Sequence, residues 1–164
     1  MINLTLIFGG KGSGKTTYVR NFVQEQMGKG KKIIGVFSEF RFEHPSKQVY
    51  NAVLIPTFER FLLCRANKIH NPNFSDWKFY PETFDICSKY ILGNIGLAEC
   101  IVIDEIGQLE LEKKGWHPIV SKLLIHYDGD LILTGRFSRL DVYYKDFIQK
   151  RFFKRLSKVY KFTV

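Results

Sequence analysis

Residues 8–17 read FGGKGSGKTT, with four glycines in the six positions 9–14, and they follow directly on the apolar run INLTLI. Gly9, Gly10, Lys11, Gly12, Ser13, Gly14, Lys15 and Thr16 fit the pattern G-x-x-x-x-G-K-[ST], the spacing of a loop that cradles phosphates. Each residue type has a physical task there. Glycines let the backbone wrap closely enough for several N–H groups to point inward, and the helix that follows turns its positive end toward the same phosphates. Lys15 is placed to reach the β- and γ-phosphates, the Thr16 hydroxyl to ligate Mg²⁺, and Thr17 follows within the nucleotide-binding stretch. Lys11 either adds a further phosphate contact or points to solvent. A dinucleotide-binding fingerprint does not fit, because its last glycine would have to stand where Lys15 is.

A phosphate loop that handles Mg²⁺ needs a second anchor. The run CIVI at 100–103 ends on Asp104 and Glu105. Asp104 is where a strand end would hold the metal, directly or through water. Glu105, the next residue, is placed to orient or deprotonate a water beside the γ-phosphate, which favours hydrolysis over transfer; the plainer alternative is a salt-bridged carboxylate at a strand end. Arg136 and Arg139, in GRFSR, could neutralise transition-state charge or form a closing lid, or simply begin a helix in solvent.

These residues need elements to position them. Residues 2–8 read as a buried strand and 16–27 as a helix with Val19, Phe22, Val23 and Met27 on its apolar face. GKGKK at 28–32 stops that helix, and 33–38 reads as a second buried strand. Such β-loop-α-β alternation implies a parallel sheet flanked by helices. Residues 47–54 and 59–64 suggest an antiparallel hairpin, 66–81 a loop, and the stretch after Pro81 a helix with Glu82 and Asp85 in its first turn. Further on, 118–126 reads as a helix with Ile119, Val120, Leu123 and Leu124 inward, 130–135 as a strand, 139–149 as a helix and 159–164 as a last strand.

Composition bounds the class. With 164 residues, 45% hydrophobic, the chain suits one domain, 1–164, with a real core. No apolar run reaches the roughly 18 residues a membrane span needs, and no basic leader precedes the first strand, so a soluble cytoplasmic protein is expected. Cys64, Cys87 and Cys100 show no paired spacing and are expected as buried thiols; His44, His70, His117 and His126 show no metal-ligand spacing and are expected as surface or capping residues. Trp77 and Trp116 could stack on a base, but packing is the expectation. The formal charge is +9, and residues 136–164 hold nine Lys/Arg against two Asp, so +7 of it lies in the C-terminal segment. There, cations alternate with Tyr143, Tyr144, Phe147, Phe152, Phe153 and Tyr160, a pattern that can hold single-stranded nucleic acid. The competing explanation is that Phe147, Ile148, Phe152 and Leu156 bury one helix face and leave the lysines solvated.

GGKGSGKTT, IIGVFS and ECIVIDEIGQLEL followed by GWHP together resemble the small P-loop nucleoside-triphosphatase family that includes the human cancer-related nucleoside-triphosphatase and thermophile relatives. The specific part is DEIG-x-[ML]-E-L, present as Asp104 to Leu111, and the resemblance covers roughly residues 2–135. It implies a three-layer, RecA-like α/β fold with a mainly parallel sheet, and Mg²⁺-dependent hydrolysis of ATP, GTP and other nucleoside triphosphates. By position it puts phosphates on Gly9 to Thr16, and metal and water on Asp104 and Glu105. The family's usual GGRVGF-type segment after the second strand is replaced by SEFRFEHPSKQVY. Two other functions remain compatible with the residues. One is a small nucleotide or metabolite kinase, with 66–81 receiving an acceptor; the other is an ATP-dependent switch acting on nucleic acid through the C-terminal segment. Whether phosphate goes to water or to a second substrate separates the triphosphatase from the kinase.

Overall fold

The computed structural model describes residues 1–68 and 72–164, so the expectation for His70 lies outside the described residues. In chain order the elements are β1 (Ile2–Phe8), α1 (Lys15–Gly28), β2 (Ile33–His44), β3 (Lys47–Ile55), β4 (Arg60–Ala66), β5 (Trp77–Phe79), α2 (Pro81–Asn94), β6 (Cys100–Ile106), α3 (Gln108–Leu111), α4 (His117–His126), β7 (Gly129–Gly135), α5 (Phe137–Tyr143) and β8 (Leu156–Thr163). From Tyr144 to Gln149 the helix after α5 widens into a π-helical stretch, where the sequence suggests one helix over 139–149.

All eight strands form one sheet in the order β5-β4-β3-β2-β6-β7-β1-β8. β2, β6, β7, β1 and β8 pair in parallel, and β3, β4 and β5 continue the sheet antiparallel from β2. The hairpin of 47–64 is therefore part of a larger meander. β2 runs on to His44, six residues past the buried segment 33–38, because its outer half pairs with β3 while its side chains turn to solvent. The segment 66–81 is not loop throughout: Trp77–Phe79 pairs with β4. β7 stands between β1 and β6, so the strand bearing the glycine loop and the strand bearing Asp104 are next-nearest neighbours, as expected of a RecA-like order.

Two cores make three layers. Ile7, Val102 and Ile132 pack under Val19 and Val23 of α1 on one face, while Leu4, Leu6, Ile101, Ile103 and Leu133 pack against α2, α4 and α5 on the other. Alternation along each strand sends successive side chains to opposite faces, which is why apolar runs with no polar break mark the central strands. Parallel strands covered on both faces bring their C-terminal ends, and the loops leaving them, to one edge of the sheet, where ligands bind in such folds.

The three cysteines are buried thiols, each pushed up to about 12 by loss of solvent. Ile148 is buried, and Phe147, Phe152 and Leu156 pack half-buried on the larger core, so one side of the basic segment is core. Tyr143 and Tyr144 are buried too, while Phe153, Tyr160 and Phe162 are exposed. Among the described residues no helix is long and apolar enough to cross a membrane.

Candidate active site

The glycine loop leaves the C-terminal end of β1. Gly9 donates its N–H to the Gly135 carbonyl at 3.2 Å, tying the loop to the end of β7. A Cβ on Gly9 would collide with Ser13 Oγ and come within 2.7 Å of Lys15 Cγ, so the loop closes this tightly only around glycine. Gly14, in the left-handed region at φ 94°, is the N-cap of α1 and supplies no side-chain cap. The backbone N–H groups of the first turn are thus without a side-chain acceptor, which suits an anion at the positive helix end.

Lys15 is buried, and its Nζ donates to the Gly10 carbonyl at 2.9 Å while standing 3.2 Å from Glu105 Oε1. Thr16 Oγ1 donates to Asp104 Oδ2 at 2.8 Å. Lys15, Thr16, Asp104 and Glu105, adjacent only in pairs along the chain, are therefore brought together at one sheet edge. Lys11, Gly12, Ser13, Gly14 and Thr17 are exposed around this cluster.

Asp104 has no exposed surface, and its carboxylate is held from three sides. Besides Thr16, the Ser38 N–H donates to Oδ2 at 2.9 Å, and the Thr134 hydroxyl donates to Oδ1. The Glu105 N–H in turn donates to Thr134 Oγ1 at 3.0 Å. Ser38 and Thr134 were not singled out by the sequence; the readable signal was a hydroxyl residue ending each of the apolar runs IIGVFS and DLILT. Both come from strands flanking β6 and fix the aspartate's orientation.

Glu105 adopts φ 63°, a left-handed conformation uncommon outside glycine and found preferentially at functional sites. The reversal breaks the β6–β7 register between Ile103 and Ile106 and turns the Glu105 side chain toward the glycine loop. Burial, followed by the negative charge of Asp104, raises its pKa above the usual carboxylate value; Lys15 and Arg136 pull the other way. Arg136 is the exposed N-cap residue of α5, and neither it nor Arg139 makes an ion pair among the described residues.

The rest of the DEIGQLEL stretch is structural. Glu110 is buried, and its two carboxylate oxygens accept the backbone N–H groups of Gly107 and Trp116, each at 2.7 Å. Gly115, at φ 59°, lies so close to Glu110 Oε1 that a Cβ would clash with it. Glu110 thereby clasps the segment 107–116 that leaves the site. His117 Nδ1 shares a hydrogen bond with the Tyr143 hydroxyl at 2.9 Å, and His44 bonds Ser46 in the β2–β3 turn, so both have structural partners. Trp116 is in the core against Phe84, and Trp77 packs on Tyr50.

A glycine-rich loop between a central parallel strand and its helix, with a buried aspartate two strands away, is the layout of a P-loop NTPase fold. The chain belongs to the family described as NTPase, whose model matches residues 4–161. It is similar to the protein named Nucleoside-triphosphatase THEP1 from Hyperthermus butylicus, with 29% identity over 125 residues. That alignment takes in 76% of this chain and 66% of the relative, just under two thirds of the relative's own length. No solved structure matches the chain.

Proposed function

We propose that the chain is a Mg²⁺-dependent nucleoside-triphosphatase that splits nucleoside triphosphates into diphosphate and phosphate. The observation carrying this reading is the convergence of Lys15, Thr16, Asp104 and Glu105 beside the uncapped start of α1. The triphosphate lies over the loop from Gly9 to Thr16, with backbone N–H groups and Lys15 on its β- and γ-oxygens. Before nucleotide enters, the Gly10 carbonyl and the Glu105 carboxylate occupy the Lys15 ammonium. Phosphate oxygens take over that cation and release Glu105.

The freed Glu105 then orients a water against the γ-phosphorus and accepts its proton as the new P–O bond forms and the β,γ-bridging bond breaks. Its raised pKa makes it a better base than an ordinary surface carboxylate. Arg136 faces the charge that grows on the transferring group. The oxygen donors Thr16 and Asp104 suit Mg²⁺, which binds through one or two protein oxygens plus substrate phosphates rather than in an all-protein cage. Among the described residues there is no cluster of three metal-ligating side chains, which agrees with that mode. When bound, the ion supplies charge neutralisation on the β- and γ-oxygens.

The test is phosphate release from ATP, GTP, CTP and UTP with Mg²⁺, comparing wild type with Lys15→Ala. Lys15-dependent release from several triphosphates is expected. Release that persists in the variant would overturn the assignment of this site.

A further inference from the structure

Beyond Glu105, on the side away from α1, the sheet edge opens into a cavity of about 290 Å³. That is the small end of ligand sites, enough for one ring system and a short arm. Its inner end is the reactive centre itself: Lys11 and Gly12 of the glycine loop, Ser38 and Glu105. Its wall is an aromatic series, with Tyr50 against Trp77 at 5.2 Å between ring centroids, Phe74 against Phe79 at 5.6 Å, and Phe84 closing the floor on Trp116 at 4.6 Å. Trp77 and Phe79 are only half-buried and so have ring surface left to offer. Arg136 and Arg139 line the same space.

A site that only positions water needs no such chamber. Water is selected by a carboxylate and two or three polar groups, whereas flat apolar walls select a flat apolar ligand. We propose that the cavity holds a second substrate, a ring-bearing small alcohol of the nucleoside class, and that the γ-phosphoryl group passes to its hydroxyl. The inference rests on the nucleotide site proposed above. The ring stacks on Trp77 and Tyr50, and the hydroxyl lies at Glu105, where the attacking water stands when the cavity is empty. The acceptor oxygen bonds to the γ-phosphorus, its proton goes to Glu105, and the β,γ-bridging oxygen leaves with the bond's electron pair on the nucleoside diphosphate. Arg136 and Arg139, without an ion pair among the described residues, offset the negative charge that crosses from donor to acceptor. Hydrolysis and transfer are then one reaction with two nucleophiles.

The experiment incubates the full chain with ATP and Mg²⁺ in the presence of adenosine, guanosine, cytidine, uridine or thymidine in turn. Phosphorylated nucleoside and free phosphate are followed separately by ³¹P NMR. At least one nucleoside monophosphate, formed in step with ADP, is expected. Trp77→Ala should raise the KM for that nucleoside about tenfold, the size of one lost base–aromatic stack, with the KM for ATP unchanged. Gln108→Trp, which adds a ring at a cavity-lining position that is only half-buried, should suppress transfer while phosphate release continues. Free phosphate with no phosphorylated nucleoside overturns the acceptor cavity and leaves the triphosphatase standing. Neither product, with no nucleotide bound, overturns both.

Discussion

Lys15 and Glu105 neutralise one another at 3.2 Å, so the two side chains given the turnover roles in the proposed reaction begin as each other's partner. Nucleotide must displace that pair. Glu105→Gln removes the anion that holds Lys15, so nucleotide affinity is expected to be retained or improved while turnover falls by about 10²–10⁴, the usual worth of a general base. Equilibrium binding and phosphate release measured on the same preparation check both halves. The rate should also follow the protonation of Glu105. Because burial raises its folded-state pKa, the active carboxylate form is gained as pH climbs past the usual carboxylate range, and the rate rises with it. The Gln variant should lose that rising limb. Residue types made Gly9 to Thr16, Asp104 and Glu105 readable in the sequence. Ser38 and Thr134 were not, because what matters in them is which strands lie beside β6, and that is a property of the sheet order.

At the next scale, α3 is only four residues long, and Glu110 fastens its N-cap, Gly107, to Trp116 at the start of α4. Burial pushes Glu110 up to about 7 from 4.5, against the opposing pull of the two N–H donors. A folded-state pKa above the unfolded one means that the folded chain binds more protons between those values, so this stabilisation is complete below pH 4.5 and is lost as pH rises through about 7. The span corresponds to roughly 3 kcal/mol. Glu110→Ala leaves two buried N–H groups without their acceptor and should cost about 2–5 kcal/mol at pH 4.5. Urea unfolding should show that deficit shrinking toward pH 8, and a pH-independent deficit would contradict the assignment. The same scale explains what the sequence concealed. β5 has three residues, too few to display alternation, and is held by its pairing to β4 rather than by its own pattern. β2 looked half its length because a strand that leaves the core loses the apolar run while keeping its hydrogen bonds. Central strands and the amphipathic faces of α1 and α4 were legible, since burial on two faces or on one stripe writes itself into composition.

For the molecule as a whole, the excess charge and the core share one segment. The chain from Arg136 onward carries +7, yet Tyr143, Tyr144 and Ile148 are buried beneath it, so the aromatic pattern that could hold nucleic acid is in large part packing. β8 completes the sheet as an edge strand parallel to β1, matching Asn3 to Lys158 and Phe8 to Thr163. β1 is thus enclosed by β7 and β8, which stand far downstream of it at 129–135 and 156–163. The glycine loop hangs from a strand whose neighbours do not exist until residues 129–163 have been made. A ribosome presenting the first hundred residues presents a phosphate motif with no rigid frame. Chains stopped after His126 should therefore fail to retain nucleotide in a filter-binding assay, although every residue of the Gly9–Thr16, Asp104 and Glu105 set is present. Nascent or truncated chains would then draw nothing from the cellular nucleotide pool, and competence would arrive in a single late step, when the C-terminal strands close over the N-terminal one.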